Sequence, residues 1–193
     1  MDKKKTEVLF DLAEQNDGYV SVAEAASFGL AQTYLCAAEE EGLFQRISKG
    51  LYLKRGFQRD VFYELTFRYR KAVFARASAL YLHGLSDIAS VEVNLPLNYF
   101  TSGIGEIPCR HVGQKEYTLG LSYVVTPRGN LVNCYDLERT LIDLIRYRDS
   151  FSKEDFLSCW LKGKEKSPYQ EKLEAYASAF HVEGELSLLQ KLY

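Results

Sequence analysis

The sequence predicts an α+β protein: an N-terminal winged helix-turn-helix followed by a larger α+β domain with a helical C-terminal tail. Three observations carry this. Helical periods close on a β-hairpin signature within residues 1–57. Short alternating segments punctuated by turn residues fill the middle, and helical periods return from Asp136 onward. The boundary is accordingly expected between residues 1–57, a DNA-binding module, and residues 58–193, an α+β domain.

Over Thr6 to Gln15, Val8, Leu9, Leu12 and Ala13 share one stripe while Glu7, Asp11 and Glu14 face away, so a first amphipathic helix is expected. Asn16-Asp17-Gly18 stops it, because Gly accepts the left-handed conformation and Asn and Asp favour turns. Tyr19-Val20 reads as extended. Ser21 and Glu24 then have capping-box spacing and start a second, short helix ending near Phe28-Gly29. A third runs from about Gln32 to Glu41. Two short helices around a tight Gly-containing turn are the helix-turn-helix arrangement. Leu43 to Ile47 and Leu51 to Lys54 are β-like, and Ser48-Lys49-Gly50 between them suits a bulged hairpin turn, the wing.

Such a module lays the start of its third helix against base edges and brings its wing to the phosphates. That nominates Gln32, Thr33 and Tyr34 on the helix and Arg46, Ser48 and Lys49 on the wing. Gln pairs with adenine, Thr meets base or phosphate, and Lys and Arg bind the backbone. Against this stands the local charge, seven basic and nine acidic residues through Gly56, with Glu39-Glu40-Glu41 at the far end of the third helix. The alternative for the same fold is a protein-docking module.

From Arg59 to Arg76 the balance reverses, with Arg59, Arg68, Arg70, Lys71 and Arg76 against Asp60 and Glu64. One or two helices are expected there, offering either a second DNA surface or a contact with an acidic partner, or simply a solvated face. Ala72 to Leu82 reads as a small-residue helix, with His83 at its end as a structural cap. Val91 to Leu95, Pro108 to Val112 and Leu119 to Thr126 read as strands. Pro127-Arg128-Gly129-Asn130 is turn chemistry, and Leu131-Val132 is extended again. Asp136 is expected to cap a helix whose apolar stripe is Leu137, Leu141, Leu144 and Ile145. Further helices follow over Lys153 to Leu161, Tyr169 to Phe180 and Glu185 to Leu192, with breaks at Gly163-Lys164, Ser167-Pro168 and Gly184.

Composition narrows the function. At 193 residues, 47% hydrophobic and 26% charged, the chain has the make-up of a soluble globular protein with room for a core. No apolar run approaches the roughly 20 residues of a membrane span. The basic start Met1-Asp2-Lys3-Lys4-Lys5 leads into polar sequence rather than an apolar signal region, so a cytoplasmic protein is expected. Cys36, Cys109, Cys134 and Cys159 lack metal-ligand spacing and read as reduced thiols, and His83, His111 and His181 are far apart. No phosphate loop, metalloprotease pair or nucleophile elbow is present, so no catalytic, cofactor or metal residue is nominated. Asp136, Glu138 and Asp143 are the one acidic group open to a metal-dependent nuclease reading, and on a helix they point in three directions.

Three strings together resemble the AbiEi-type antitoxins of type IV toxin-antitoxin and abortive phage-infection systems. They are Glu41-Gly42-Leu43-Phe44-Gln45-Arg46-Ile47-Ser48-Lys49-Gly50-Leu51-Tyr52, Ser78-Ala79-Leu80-Tyr81-Leu82-His83-Gly84-Leu85, and Tyr135-Asp136-Leu137-Glu138-Arg139-Thr140-Leu141-Ile142-Asp143. Their order and spacing span nearly the whole chain. The resemblance implies an autorepressor that binds inverted repeats of double-stranded operator DNA through its winged helix, at Gln32 to Tyr34 and Arg46 to Lys49. It further implies a C-terminal domain that counteracts a nucleotidyltransferase-like toxin in phage defence, without enzymatic activity of its own and without a stable complex being required. Arg68, Arg70, Lys71 and Arg139 are the candidates for a toxin-facing or secondary DNA surface. The alternative is a plain transcriptional regulator with a ligand-sensing or dimerising C-terminal domain.

Overall fold

A computed structural model describes residues 3–100, 103–167 and 169–193; Met1, Asp2 and Pro168, which entered the sequence reading, lie outside the described residues. The chain forms two compact units. The first comprises the described residues through Arg68 together with Thr126–Asn130, and the second comprises Tyr69–Val125 and Leu131–Tyr193.

In the first unit the order is α1 (Lys3–Gln15), β1 (Tyr19–Ser21), α2 (Val22–Ser27), α3 (Gln32–Glu40), β2 (Phe44–Ser48), β3 (Leu51–Lys54) and α4 (Val61–Arg68). The stripe expected on α1 is the buried one, with Leu9, Leu12 and Ala13 facing inward. Ser21 and Glu24 form the capping box: the Ser21 hydroxyl accepts from the Glu24 N–H at 3.1 Å, and the Glu24 carboxylate accepts from the Ser21 N–H at 3.4 Å. β1 joins the hairpin in an antiparallel sheet of order β1-β3-β2. β3 is central, which explains why Leu51, Tyr52 and Leu53 are all buried. Tyr52 packs with Leu9, Leu35, Ala38 and Phe44, whereas Leu51 and Leu53 pack with Tyr19, Tyr63 and Phe67.

This unit runs eleven residues past the boundary expected at residue 57, because α4 is anchored to it by polar contacts. The Asp60 carboxylate caps α4, accepting from the Phe62 and Tyr63 N–H groups at 3.1 and 3.3 Å. Its other oxygen accepts from Thr126 Oγ1 at 2.5 Å and Asn130 Nδ2 at 3.0 Å. The Tyr19 hydroxyl accepts from the Asp60 N–H at 2.6 Å and donates to Glu64 at 2.8 Å. Burial pushes the Tyr19 phenol well up from its ordinary value, so it stays a donor at any ordinary pH.

The second unit contains β4 (Val73–Phe74), α5 (Ala77–Leu82), β5 (Val93–Pro96), β6 (Cys109–Val112), α6 (Gln114–Thr118), β7 (Leu121–Val125), β8 (Leu131–Tyr135) and α7 (Leu137–Arg146). It closes with α8 (Lys153–Lys166), α9 (Gln170–Phe180) and α10 (Glu183–Leu192). The strands make one mixed sheet of order β6-β5-β4-β8-β7, parallel at β5–β6 and β4–β8 and antiparallel elsewhere. A core of Leu80, Leu85, Leu141, Ile142, Leu144, Ile145, Trp160, Leu173 and Leu186 sits around α7, which α5, α8, α9 and α10 surround.

Several expectations change here, among them Gly184, read as a break, which lies inside α10. Val73-Phe74, read as the start of a helix, is the middle strand of the sheet, pairing with Asn94 and Val93 on one side and Cys134 on the other. Gly163, read as a break, lies buried inside α8, where an added Cβ would come within 2.3 Å of Leu141. The helix is continuous there because only glycine admits the Leu141 side chain so closely. α6 was not foreseen.

Candidate nucleic-acid interface

α3 is held by Leu35 and Ala38, which are buried in the first unit's core, leaving Gln32 and Thr33 exposed on its first turn. Its N-cap is Ala31, which makes no side-chain cap; the Tyr34 N–H donates to the Ala31 carbonyl at 3.0 Å, and no side chain caps the Gln32 and Thr33 N–H groups. Tyr34 differs from its two neighbours. It is half-buried, its hydroxyl accepts a hydrogen bond from Lys5 Nζ, and that ammonium lies 4.2 Å from its ring centroid. Lys5 on α1 therefore reaches α3, a contact that sequence reasoning passed over. The basic run Lys3-Lys4-Lys5 was legible, but nothing in it indicates a partner 29 residues away.

On the wing, Arg46 and Lys49 are exposed. The hairpin differs in detail from the expected three-residue turn: Ser48 pairs with Leu51 across the two-residue turn Lys49-Gly50, and the bulge falls between Arg46 and Ser48. Gly50 takes a φ of 83°, which only glycine adopts without strain. The bulge turns Ser48 inward, so that its hydroxyl is buried and makes no hydrogen bond. As the wing stands, the Ser48 hydroxyl is withdrawn, and Arg46 and Lys49 are the nominated wing residues with exposed polar side chains. Lys54, at the other end of the hairpin, is committed elsewhere, at 2.6 Å from Glu14 and 4.4 Å from the Phe10 ring.

Charge on α3 is separated along its axis. Gln32 and Thr33 occupy one end and the exposed Glu39, Glu40 and Glu41 the other, about 13 Å away at 1.5 Å per residue. The acidic balance of this segment thus does not describe the surface around the helix start.

The other basic candidates divide. Arg68 ends α4 in the first unit, while Arg70 and Lys71 begin the second, and all three are exposed. The backbone under the latter two is fixed: the Arg70 carbonyl accepts from Asn133 Nδ2 at 3.1 Å and the Lys71 carbonyl from the Tyr117 hydroxyl at 3.0 Å. Arg139 is a correction. Its side chain is 0% exposed and faces no partner. Its Nε donates to Asp143 at 3.1 Å and its Nη1 to the Glu116 and Leu119 carbonyls at 2.9 and 2.7 Å.

Arg139 also belongs to a ladder in which aromatic rings and guanidinium groups alternate. From Tyr135 to Arg139, Phe180, Arg146, Tyr147 and Arg110 the successive separations are 4.3, 4.2, 4.0, 5.1 and 4.7 Å. Burial pushes the Tyr135 phenol at its inner end up to about 12. Helical sequence spacing puts Arg139 and Asp143 together, but the rest of the ladder comes from distant segments.

The acidic trio is likewise taken up internally. Asp136 caps α7 and meets Lys172 at 2.8 Å, Glu138 accepts from Ser167 at 2.8 Å, and Asp143 lies between Arg139 and Arg146. Among the described residues no group of three or more His, Cys, Asp or Glu side chains is placed to hold a metal, and no described helix is long and apolar enough to cross a membrane.

Comparison with known proteins follows the same division. No curated protein matches this chain. Among solved structures, the crystal structure of the RV2827C protein from Mycobacterium tuberculosis superposes with a TM-score of 0.60 over 90% of this chain and 70% of that one. At 15% identity this is a likeness of fold. Residues 7–53 match the family model described as transcriptional regulator, AbiEi antitoxin. That span holds most of α1 and continues through α3 into β3, the elements that carry Gln32, Thr33, Arg46 and Lys49. Across them the chain is similar to the regulators that this AbiEi family model describes.

Proposed function

We propose that this protein is a transcriptional autorepressor and antitoxin, acting in the cytoplasm, whose winged helix binds inverted repeats in its own operator. Residues 1–57 carry DNA recognition, with Gln32 and Thr33 at base edges and Arg46 and Lys49 at phosphates. The single observation that carries the reading is the coincidence of the AbiEi regulator match with an α3 whose first turn is exposed and uncapped. Residues 58–193 are assigned the second role, counteracting a nucleotidyltransferase-like toxin. Arg68, Arg70 and Lys71 are the exposed cations offered to that partner or to flanking DNA.

The test is a titration of the whole protein against its own upstream duplex and a scrambled duplex at several salt concentrations, with Lys49→Ala beside it. The expected outcome is tight binding to the upstream duplex that weakens with salt, and a smaller salt dependence for the variant. Equal, negligible binding to both duplexes makes the winged helix a protein-docking module instead. The antitoxin half is tested by co-expression with an adjacent nucleotidyltransferase-like gene product, where restored growth is expected and continued arrest defeats the assignment.

A further inference from the structure

We propose that the cleft between the loop after α5 and the N-terminal half of α8, in the second unit, is a binding site for a free amino acid with an apolar side chain. The cleft has a volume of about 350 Å³, at the small end of the roughly 300–1,000 Å³ of small-molecule sites. Leu80, Leu85 and Phe151 give it an apolar wall, and the exposed Asp87, Asp155 and Lys162 bring charge to it. None of these three has an ion-pair partner among the described residues. Asp155, Cys159 and Lys162 follow at spacings of four and three, so they share one face of α8. Lys162 leans toward the helix N-terminus, across Cys159 and toward Asp155. An ammonium and a carboxylate carried on one carbon satisfy all of these charges. The two aspartates take the ammonium, Lys162 takes the carboxylate, and the apolar side chain lies on the leucines. A simple amine would leave Lys162 without a counter-charge, and a simple carboxylate would leave both aspartates without one.

Both walls are fixed without a ligand, which keeps the ordering cost of binding low. The loop is pinned at one end by the Cys159 thiol, which donates to the Leu85 carbonyl at 3.4 Å. At the other end the Ser78 hydroxyl donates to the Ser90 carbonyl at 2.7 Å and accepts from the Glu92 N–H at 2.5 Å. Asp87 and Ile88 project between these pins. On the opposite wall Ser152 caps α8, accepting from the Asp155 N–H at 3.0 Å. Its hydroxyl also donates to one Asp155 carboxylate oxygen at 2.7 Å, which orients that group and leaves the other oxygen to accept from an ammonium. Cys159 takes no covalent part. Burial pushes its thiol up, and the thiol hydrogen is committed to Leu85, so the cleft is built to bind rather than to react.

The deciding experiment is a calorimetric titration of the whole protein with leucine, with N-acetyl-leucine and with isopentylamine. The second probe lacks the ammonium charge of leucine and the third lacks its carboxylate. Leucine is expected to bind saturably, and each of the other two to bind more weakly by about tenfold, the worth of one charged hydrogen bond. Lys162→Gln is expected to weaken leucine by a similar factor while leaving isopentylamine unchanged, whereas Asp155→Asn weakens both. The melting temperature of each variant, measured by circular dichroism, checks that the fold is kept, and Asp87→Asn repeats the Asp155 test from the other wall. Absence of saturable leucine binding up to about 10 mM overturns the proposal. So does isopentylamine or N-acetyl-leucine binding as tightly as leucine, and so does leucine binding that none of the three substitutions alters, which would place the ligand elsewhere. Each outcome is read without DNA, so failure here leaves the operator reading untouched.

Discussion

α3 and α7 are nearly equal in length and treat their polar residues in opposite ways. α3 buries only Leu35 and Ala38 and turns its polar and acidic groups outward. α7 is buried from Glu138 to Ile145, so that Glu138, Arg139, Thr140 and Asp143 lie inside with the leucines. A charge on the surface of the first unit is free to meet a ligand and contributes little to folding. A charge inside the second must be matched by a partner, since leaving it alone costs several kcal/mol, and it serves packing instead. Basic side chains at the start of the first unit are thus mostly at the surface, while Arg139 in α7 belongs to the architecture.

The sharpest way to break this contrast is Arg139→Leu. It leaves Asp143 with Arg146 as its ion-pair partner and removes the guanidinium between Tyr135 and Phe180, so a loss of about 3–5 kcal/mol is expected. Trp160, the sole tryptophan and fully buried in the second unit, reports the urea transition by fluorescence. A change below about 1 kcal/mol would mean that α7 tolerates its charges as a surface does. Lys49→Ala, by contrast, should move stability by no more than about 0.5 kcal/mol.

Gly163→Ala comes next. A methyl group 2.3 Å from Leu141 and 3.2 Å from Leu85 overpacks the junction of α7 and α8, for about 1–3 kcal/mol. Unchanged stability would show that α8 can shift away from α7. In the first unit the largest local effect tested is smaller: Ser21→Ala removes one half of the capping box, for about 1 kcal/mol, read as a lowered melting temperature by circular dichroism.

A pH series sharpens the comparison from the side of the second unit. His83 donates from Nε2 to the Tyr135 carbonyl at 2.8 Å, and burial lowers its pKa below the ordinary 6.5. The unfolded chain then binds the proton first. The stability contributed by neutral His83 is fully present above about pH 6.5 and declines as the pH falls from there through the lowered folded value. His83→Gln keeps a donor for the carbonyl and should flatten that part of the decline in urea midpoints. An equally steep decline in the variant would assign it to other groups.

Much of the fold was legible where the deciding interactions are local. The α1 stripe, the Ser21–Glu24 box and the Asp136 cap all act within four residues, and the structure contains each of them. The helix-turn-helix order and the exposure of Gln32, Thr33, Arg46 and Lys49 follow from the same short-range rules. Local signals misled at Val73-Phe74, where the alanines around the pair favour helix but β5 and β8 supply strand partners on both sides. They also misled at Ser48, whose inward turn depends on a bulge in the ladder with β3.

By itself, then, the sequence determined the elements, their caps and the residues that a helix-turn-helix turns outward. Tertiary structure alone decided which cations are surface and which are core. Arg139 is sheltered by carbonyls 20 and 23 residues away, and Lys5 is seated on a ring 29 residues away. The reason is physical: propensity and capping are fixed by neighbours along the chain, whereas the desolvation of a charge is fixed by whatever the folded chain brings beside it.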